Sequence, residues 1–273
     1  MRALIAVSIA LSMTPPAFAE IVDNSFFIEE AYNQESRVVQ HVQTFHWSRE
    51  WEGGTTDRSF AYALTQEWPV AGQRHQLSYT IPYERVSGGP GRADGIGDVQ
   101  VHYRNQWMMD ADGRPAIAPR FTVILPTGSS EDGLGLGTAG FQFNLPVSKQ
   151  LDPIHLHVNA GATFVPGATV TLPSGADSPS RDLFSTHFGF SIIGLATERL
   201  HVLFETLSAV DEEIDALGGT ERTPRVLLSP GMRYGIDRKD GGQWVLGAAA
   251  PIGVSDSEDD FGVFLYLSFE HPY

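Results

Sequence analysis

Residues 115–151 read PAIAPRFTVILPTGSSEDGLGLGTAGFQFNLPVSKQL. Two apolar-alternating arms flank a loop rich in glycine and acid. In the first arm Ile117, Pro119, Phe121, Val123 and Leu125 hold the odd positions, and Ala118, Arg120, Thr122 and Ile124 the even ones. In the second arm Ala139, Phe141, Phe143, Leu145 and Val147 are odd, whereas Gln142, Asn144 and Ser148 are even. Side chains alternate across a strand, so each arm has one apolar and one mostly polar face. The stretch therefore reads as a long β-hairpin. Its apolar face meets either the core of a soluble sandwich or the lipid around a barrel.

The same alternation recurs along the chain. Twelve strand-like segments are expected at 37–50, 58–68, 73–84, 97–108, 115–126, 137–148, 154–165, 183–194, 199–208, 223–236, 243–253 and 260–271. In the fourth, Val99, Val101, Tyr103 and Trp107 oppose Gln100, His102, Arg104 and Gln106. In the seventh, Ile154, Leu156 and Val158 oppose His155, His157 and Asn159. Segments one and nine alternate less cleanly. Tight turns at 69–72, 109–114, 149–153, 195–198 and 237–242 alternate with mostly longer, polar connections at 51–57, 85–96, 127–136, 166–182, 209–222 and 254–259. Short turns at one end and long loops at the other mark an outer-membrane barrel, and an even strand number places both termini on the short-turn, periplasmic side.

Two features favour lipid over a dry core. The polar parity carries His102, Arg104, Arg120, Asn144, His155, His157, Asn159, Arg225 and Arg233, which a hydrated lumen can hold and an apolar core cannot. These nine are the candidate lumen-lining residues. Glu67, Glu84, Glu205 and Glu270 share that parity, so charges of both signs are expected to pair across the lumen and narrow it. Aromatic residues also gather near segment ends, at Trp47, Trp51, Trp68, Tyr83, Trp107, Phe164, Tyr234 and Trp244, as interfacial girdles require. The expected fold is all-β: a transmembrane, antiparallel, up-and-down β-barrel of about twelve strands over residues 37–273.

The first nineteen residues read as a secretory signal peptide, with Arg2, an apolar stretch from Leu4 to Met13, and a small-x-small site at Ala17-Phe18-Ala19. Residues 20–36 lack clean alternation. They are expected as an N-terminal periplasmic arm or short helix, with a plug as the functional alternative. The chain has no cysteine, which excludes disulfides. Without Arg2, 17 basic residues face 33 acidic ones, a balance that argues against nucleic acid as a partner. The closing residues FGVFLYLSFEHPY alternate and end on an aromatic, resembling the signal read by the barrel-assembly machinery. His271 and Pro272 depart from it, which predicts a last strand ending near Phe269.

Three features invite a catalytic or metal-binding reading. GLGLG at 133–137 lacks the helix and lysine of a phosphate cradle; Gly95, Gly97, Gly135 and Gly137 are expected to supply positive φ or bulges at strand ends. His155 and His157, two apart on a strand, face the same way and have metal-ligand spacing, but hydrogen-bonded interior histidines are the simpler account. A barrel lipid hydrolase needs a serine and histidine converging on the lipid side, and the histidines fall on the inward parity. No enzyme activity, metal or cofactor is therefore expected. The acidic clusters at 131–132, 211–215 and 256–260 read as solvated loops, with cation bridging to lipopolysaccharide phosphates as the functional alternative.

The ordered motifs IEEAYNQE (28–35), TQEWPV (65–70), QRHQLSYTIPY (73–83), GIGDVQVHYR (95–104), ILPTG (124–128), FQFNLPVS (141–148), NAGATFVPGA (159–168), LLSPGMRY (227–234), PIGV (251–254) and LYLSFEHPY (265–273) resemble the family of outer-membrane transporters named after the meta-pathway of phenol degradation. The resemblance implies a porin-like barrel in the outer membrane of a Gram-negative bacterium that passes small molecules, aromatic ones among them. The partners it implies are outer-membrane lipid, lipopolysaccharide and a small-molecule solute. It brings no catalytic or ligand residue. The alternative is a structural or adhesive barrel with a closed lumen.

Overall fold

A computed structural model describes residues 21, 25–52, 55–88, 91–111, 113–172, 174–255 and 261–273. The signal-peptide stretch and the acidic residues 256–260 lie outside these. The strands are β1 (Val38–Glu52), β2 (Thr55–Pro69), β3 (His75–Gly88), β4 (Gly91–Ile96), β5 (Gln100–Asn105), β6 (Ala116–Ile117), β7 (Arg120–Ile124), β8 (Gly140–Leu151), β9 (Ile154–Ala168), β10 (Arg181–Leu195), β11 (Leu200–Ile214), β12 (Thr220–Asp237), β13 (Gln243–Ala249), β14 (Ile252–Gly253) and β15 (Phe261–Pro272). No helix occurs among the described residues.

Every pairing is antiparallel; once interrupted strands are joined, each pairs with its neighbours in sequence, and β1–β15 closes the ring. Three wall strands are interrupted. β4 and β5 are separated at 97–99, β6 and β7 at Ala118-Pro119, and β13 and β14 at Ala250-Pro251. The two prolines lack the N–H that a ladder needs. The fifteen pieces thus form twelve strands of a closed up-and-down barrel, which leaves no free sheet edge.

Burial follows the parity of the sequence. Along β8, Phe141 and Phe143 are exposed while Asn144, Pro146 and Ser148 are buried. Along β15, Phe261, Val263 and Leu265 are exposed while Phe264, Tyr266 and Ser268 are buried. An outer wall of exposed phenylalanine, leucine and valine around a polar interior is inverted relative to a water-soluble protein. It is the arrangement of a barrel in lipid, with its aromatic belts at both rims. On the turn side Trp244 stacks on Phe269 with centroids 4.4 Å apart, and Trp68 packs on Tyr79.

The strands outrun their expected ends. Parts of the stretches expected as loops, 51–52 with 55–57, 85–88 with 91–96, and 209–214 with 220–222, continue the ladders: Trp51 pairs with Thr56, Ser87 with Arg92, and Ile214 with Thr220. A strand crosses the membrane in roughly 9–11 residues. Beyond that height both faces meet water, so the ladder persists while the apolar alternation that would reveal it stops. The last strand likewise reaches Pro272, which lies opposite Val38.

The glycine-rich connection after β7 does not project freely. Asp98 accepts the Gly128 amide on Oδ1 and the Leu136 amide on Oδ2. A Cβ on Gly135 would lie 2.6 Å from Asp98 Oδ1, and one on Gly128 only 2.1 Å from the Leu134 carbonyl oxygen. Close backbone approach, rather than positive φ, requires these two glycines. Of the four singled out in the sequence, only Gly137 has positive φ, at 70°.

Candidate functional site

The interior contains a second piece of chain. Residues 25–35 contain no helix and run inside the barrel. The periplasmic arm or short helix expected at 20–36 is thus replaced, over these residues, by an irregular segment bonded to the wall. Its main chain is satisfied by wall side chains. Glu205 accepts the amides of Phe27 and Ile28. Asn159 accepts the Glu29 amide and donates to the Glu29 carbonyl. Ser148 accepts the Ala31 amide, Gln106 that of Asn33, and Gln76 that of Gln34. Arg104 donates to the carbonyls of Glu30 and Tyr32. A chain with no ladder of its own must find such partners when buried.

Apolar burial adds to this. Phe26 and Phe27 pack on Phe264, with centroids 5.3 and 4.8 Å away, and Ile21 joins the same cluster with Val42, Val245 and Tyr266. Ile28 is 1% exposed. The wall makes room with inward-facing glycines. A Cβ on Gly189 would lie 2.1 Å from Ile28 Cδ1, and one on Gly247 2.5 Å from the Phe26 ring. Fully burying side chains of this size is worth about 1.5–3 kcal/mol each.

The candidate residues divide by depth. His102 is buried between Thr80 and Thr122, 3.1 and 2.8 Å away. Arg104 also donates to Asn33 and Gln76 and lies 3.9 Å from Glu67. Arg120 forms an ion pair with Glu29 and donates to Gln142. Asn144 contacts Asn159 and His187. His157 bonds Ser148 at 2.7 Å and stands 3.8 Å from Glu30. His155 is buried with its ring edge-on to His201. Arg233 lies 3.2 Å from Glu30 and also donates to His201 and to the Ile21 carbonyl. Arg225 is set apart at the far rim, 37% exposed, paired with Asp211 and Glu213.

The expectation that inward wall charges pair with one another holds only in part, in Arg104 with Glu67. Arg120 and Arg233 pair with Glu29 and Glu30, which the N-terminal segment supplies. Sequence reading missed these two acids and the amide and hydroxyl groups of Gln76, Gln106 and Ser148. Their inward parity was visible; the chain that would meet them was not. The acids at 211–213 are also not simply solvated, since Arg222 and Arg225 pair with them across the β11–β12 hairpin. Among the described residues no three His, Asp or Glu side chains form a metal-ligating group.

Two cavities flank the segment. One, of about 220 Å³, has Phe26, Phe27 and Glu29 on one side and Thr44, Thr65, Thr80, Gln100, His102 and Arg120 on the other. The second, of about 350 Å³, lies toward the short turns and is lined by Tyr32, Asn33, Gln34, Gln73, Asp110 and Gly241. The segment stands between them.

No family model matches the chain, and no curated protein does. Solved structures do resemble it. An outer membrane channel from Pseudomonas putida F1 superposes with a TM-score of 0.66 at 12% identity, over 89% of this chain and 98% of that one. The NanC porin superposes with a TM-score of 0.52 at 7% identity, over 86% of this chain and all of the porin. Together with the lipid-facing wall, these establish the fold as a twelve-stranded barrel of the bacterial outer membrane.

Proposed function

We propose that the chain is a gated channel for small molecules, with residues 25–35 as the gate and aromatic solutes as the substrate class. The observation that carries this reading is the bonding of the segment. The inward side chains of Glu205, Asn159, Gln106, Gln76 and Arg104 bond to a piece of chain that belongs to no wall strand. The barrel is complete without it. Each residue ordered costs roughly 1–2 kcal/mol of conformational entropy, and each hydrogen bond returns only about 0.5–1.5 kcal/mol net. That entropy opposes the hydrogen bonds and apolar burial that hold the segment, so a solute that competes for the wall side chains can release it. The smaller cavity suits an aromatic solute with a polar end: Phe26, Phe27 and Tyr266 offer ring faces, and His102 and Arg120 offer polar contacts. The nine inward candidates, Arg225 at the rim included, would then line the opened path. The resemblance to transporters of the phenol meta-pathway family points to the same solutes.

A second reading is a closed structural barrel. Arg233 at 1% and Glu205 at 1% exposure favour it, because at their level the interior is filled. Planar-bilayer conductance of the mature protein, compared with a variant lacking residues 20–36, separates the two. A channel gated by the segment gives small or intermittent conductance that rises several-fold on deletion, together with uptake of small aromatic acids into liposomes. A silent deletion variant that still folds as a barrel rules the channel out.

A further inference from the structure

The barrel closes between its first and last strands, and the outer face of that seam carries two histidines. Along β1, Gln40 and Val42 are buried toward the interior, so His41 between them stands on the outer face. Across the seam His41 lies opposite Phe269, and His271 lies opposite Val39. The two histidines are therefore diagonal neighbours on one face, a placement within reach of long side chains. Their Nε2 atoms lie 3.3 Å apart, and the ring planes are within 15° of parallel with centroids 5.4 Å apart. Since the nitrogens are much closer than the centroids, each ring turns its Nε2 edge to the other.

That separation bears on what the pair can do. Hydrogen bonds from N–H groups cluster near ~2.9–3.0 Å. Two imidazole nitrogens each ~2.05 Å from one tetrahedral zinc ion lie roughly 3.3 Å from each other, by the tetrahedral angle. The pair has the second spacing. His271 also has the tautomer that a ligand needs. Its Nδ1 lies 3.1 Å from the Pro272 carbonyl oxygen, which can only accept, so Nδ1 carries the proton and Nε2 keeps its lone pair. Metal-ligating histidines characteristically donate their other ring N–H to such a carbonyl. Phe269, with its centroid 6.2 and 5.2 Å from the two rings, packs beside both, and Trp244 stacks on Phe269 in turn. The Arg238 guanidinium over Phe269 is paired with Asp240. Both histidines are partly exposed, so an ion can reach them from water at the short-turn rim.

We propose that His41 and His271 form a two-histidine site for a divalent transition-metal ion of the zinc or copper class, and that the bound ion clamps the seam between β1 and β15. Imidazole nitrogen suits these ions. The two histidines supply the protein ligands, and water completes the coordination. The strands come from opposite ends of the barrel sequence and are joined there by the ladder. An ion shared by His41 and His271 adds a second link at the same place. Because it binds the closed barrel and not the separated strands, it stabilises the closed form by mass action. The site lies on the outer face, so it is independent of the channel reading.

The test uses the untagged mature protein in detergent, with Zn2+ and Cu2+ as separate probes. One equivalent of Zn2+ should bind, at least tenfold more tightly than to H41Q or H271Q. It should raise the midpoint of thermal barrel unfolding in the unaltered protein and in neither variant. H75Q, which removes an outward histidine at the start of β3 on the same rim, should keep both effects. The electron paramagnetic resonance spectrum of the Cu2+ form should show two imidazole nitrogens on the ion. Binding that is unchanged in H41Q or H271Q overturns the proposal, as does loss of binding in H75Q or binding that leaves the midpoint where it was. The pair is then a plain imidazole–imidazole hydrogen bond. If the variants do not fold, the nitrogen count on the unaltered protein decides, and any number other than two overturns the site. Channel conductance is a separate readout, so failure here and failure of the channel reading are distinguishable.

Discussion

Arg233 Nη1 lies 3.2 Å from Glu30 Oε1, and neither side chain is more than 5% exposed. One residue belongs to the barrel wall and the other to the segment inside it. Removing one partner of a buried pair leaves an uncompensated charge, at a cost of about 3–5 kcal/mol. The wall ladders do not depend on Glu30, so the cost should fall on docking of the segment. Glu30→Ala is expected to leave the barrel folded, expose residues 25–35 to added protease, and raise conductance. A protected segment with unchanged conductance would mean the pair does not hold it in place.

Arg120 and Glu29 meet at the edge of the smaller cavity, with side chains 20% and 19% exposed. Charges lining a constriction set ion preference. Arg120→Ala should therefore shift the open channel toward cations, read as a changed reversal potential in a salt gradient. Phe121→Ala, one residue on and facing lipid, should not shift it. Equal shifts at both positions would show that Arg120 does not line the ion path.

Phe143 is 48% exposed on the outer wall. Arginine there should cost roughly 2–4 kcal/mol, the penalty for a cation near the bilayer midplane. The adjacent inward position is not the cheap control that parity alone suggests, because Asn144 is buried and bonded to Asn159. Gln100, which faces the 220 Å³ cavity, is the better comparison and should tolerate arginine at well under that cost. Urea unfolding in phospholipid vesicles measures both; equal costs would contradict the assignment of faces.

Asp110, in the short-turn region after β5, accepts the Gln150 amide and pairs with Lys149. Burial alone would push its carboxyl up, but the Gln150 amide and the Lys149 ammonium outweigh burial and hold it below the ordinary aspartate value of 3.8. A depressed carboxylate stabilises the folded form above its unfolded pKa, and that contribution is lost as pH falls through the folded pKa. Hydrogen exchange at the Gln150 amide should therefore accelerate, relative to its intrinsic rate, as pH drops below 3.8. Asp110→Asn should abolish this dependence. A variant that keeps it would place the titrating group elsewhere.

The short turns are expected to face the periplasm. Cysteine placed at Glu131, in the exposed tip after β7, should react with an impermeant maleimide on intact cells, and cysteine at Asp240 should not. The reverse pattern would invert the barrel.

The sequence by itself determined the wall. Alternation at Phe141, Phe143 and Leu145 against Gln142 and Asn144 marks strand and face together, because a period of two has one geometric meaning and lipid enforces it over every crossing strand. Twelve strands, their order and their outward residues were legible for that reason. The tertiary structure alone decided where lipid ceases to sort side chains. Above the membrane the ladders at 55–57, 209–214 and 220–222 continue with no apolar signal. Inside the barrel, Glu30 reaches Arg233 across 203 residues of sequence. No local period announces such a contact: the segment's backbone is satisfied by side chains scattered over about half of the wall strands, and those side chains come together only when the barrel closes.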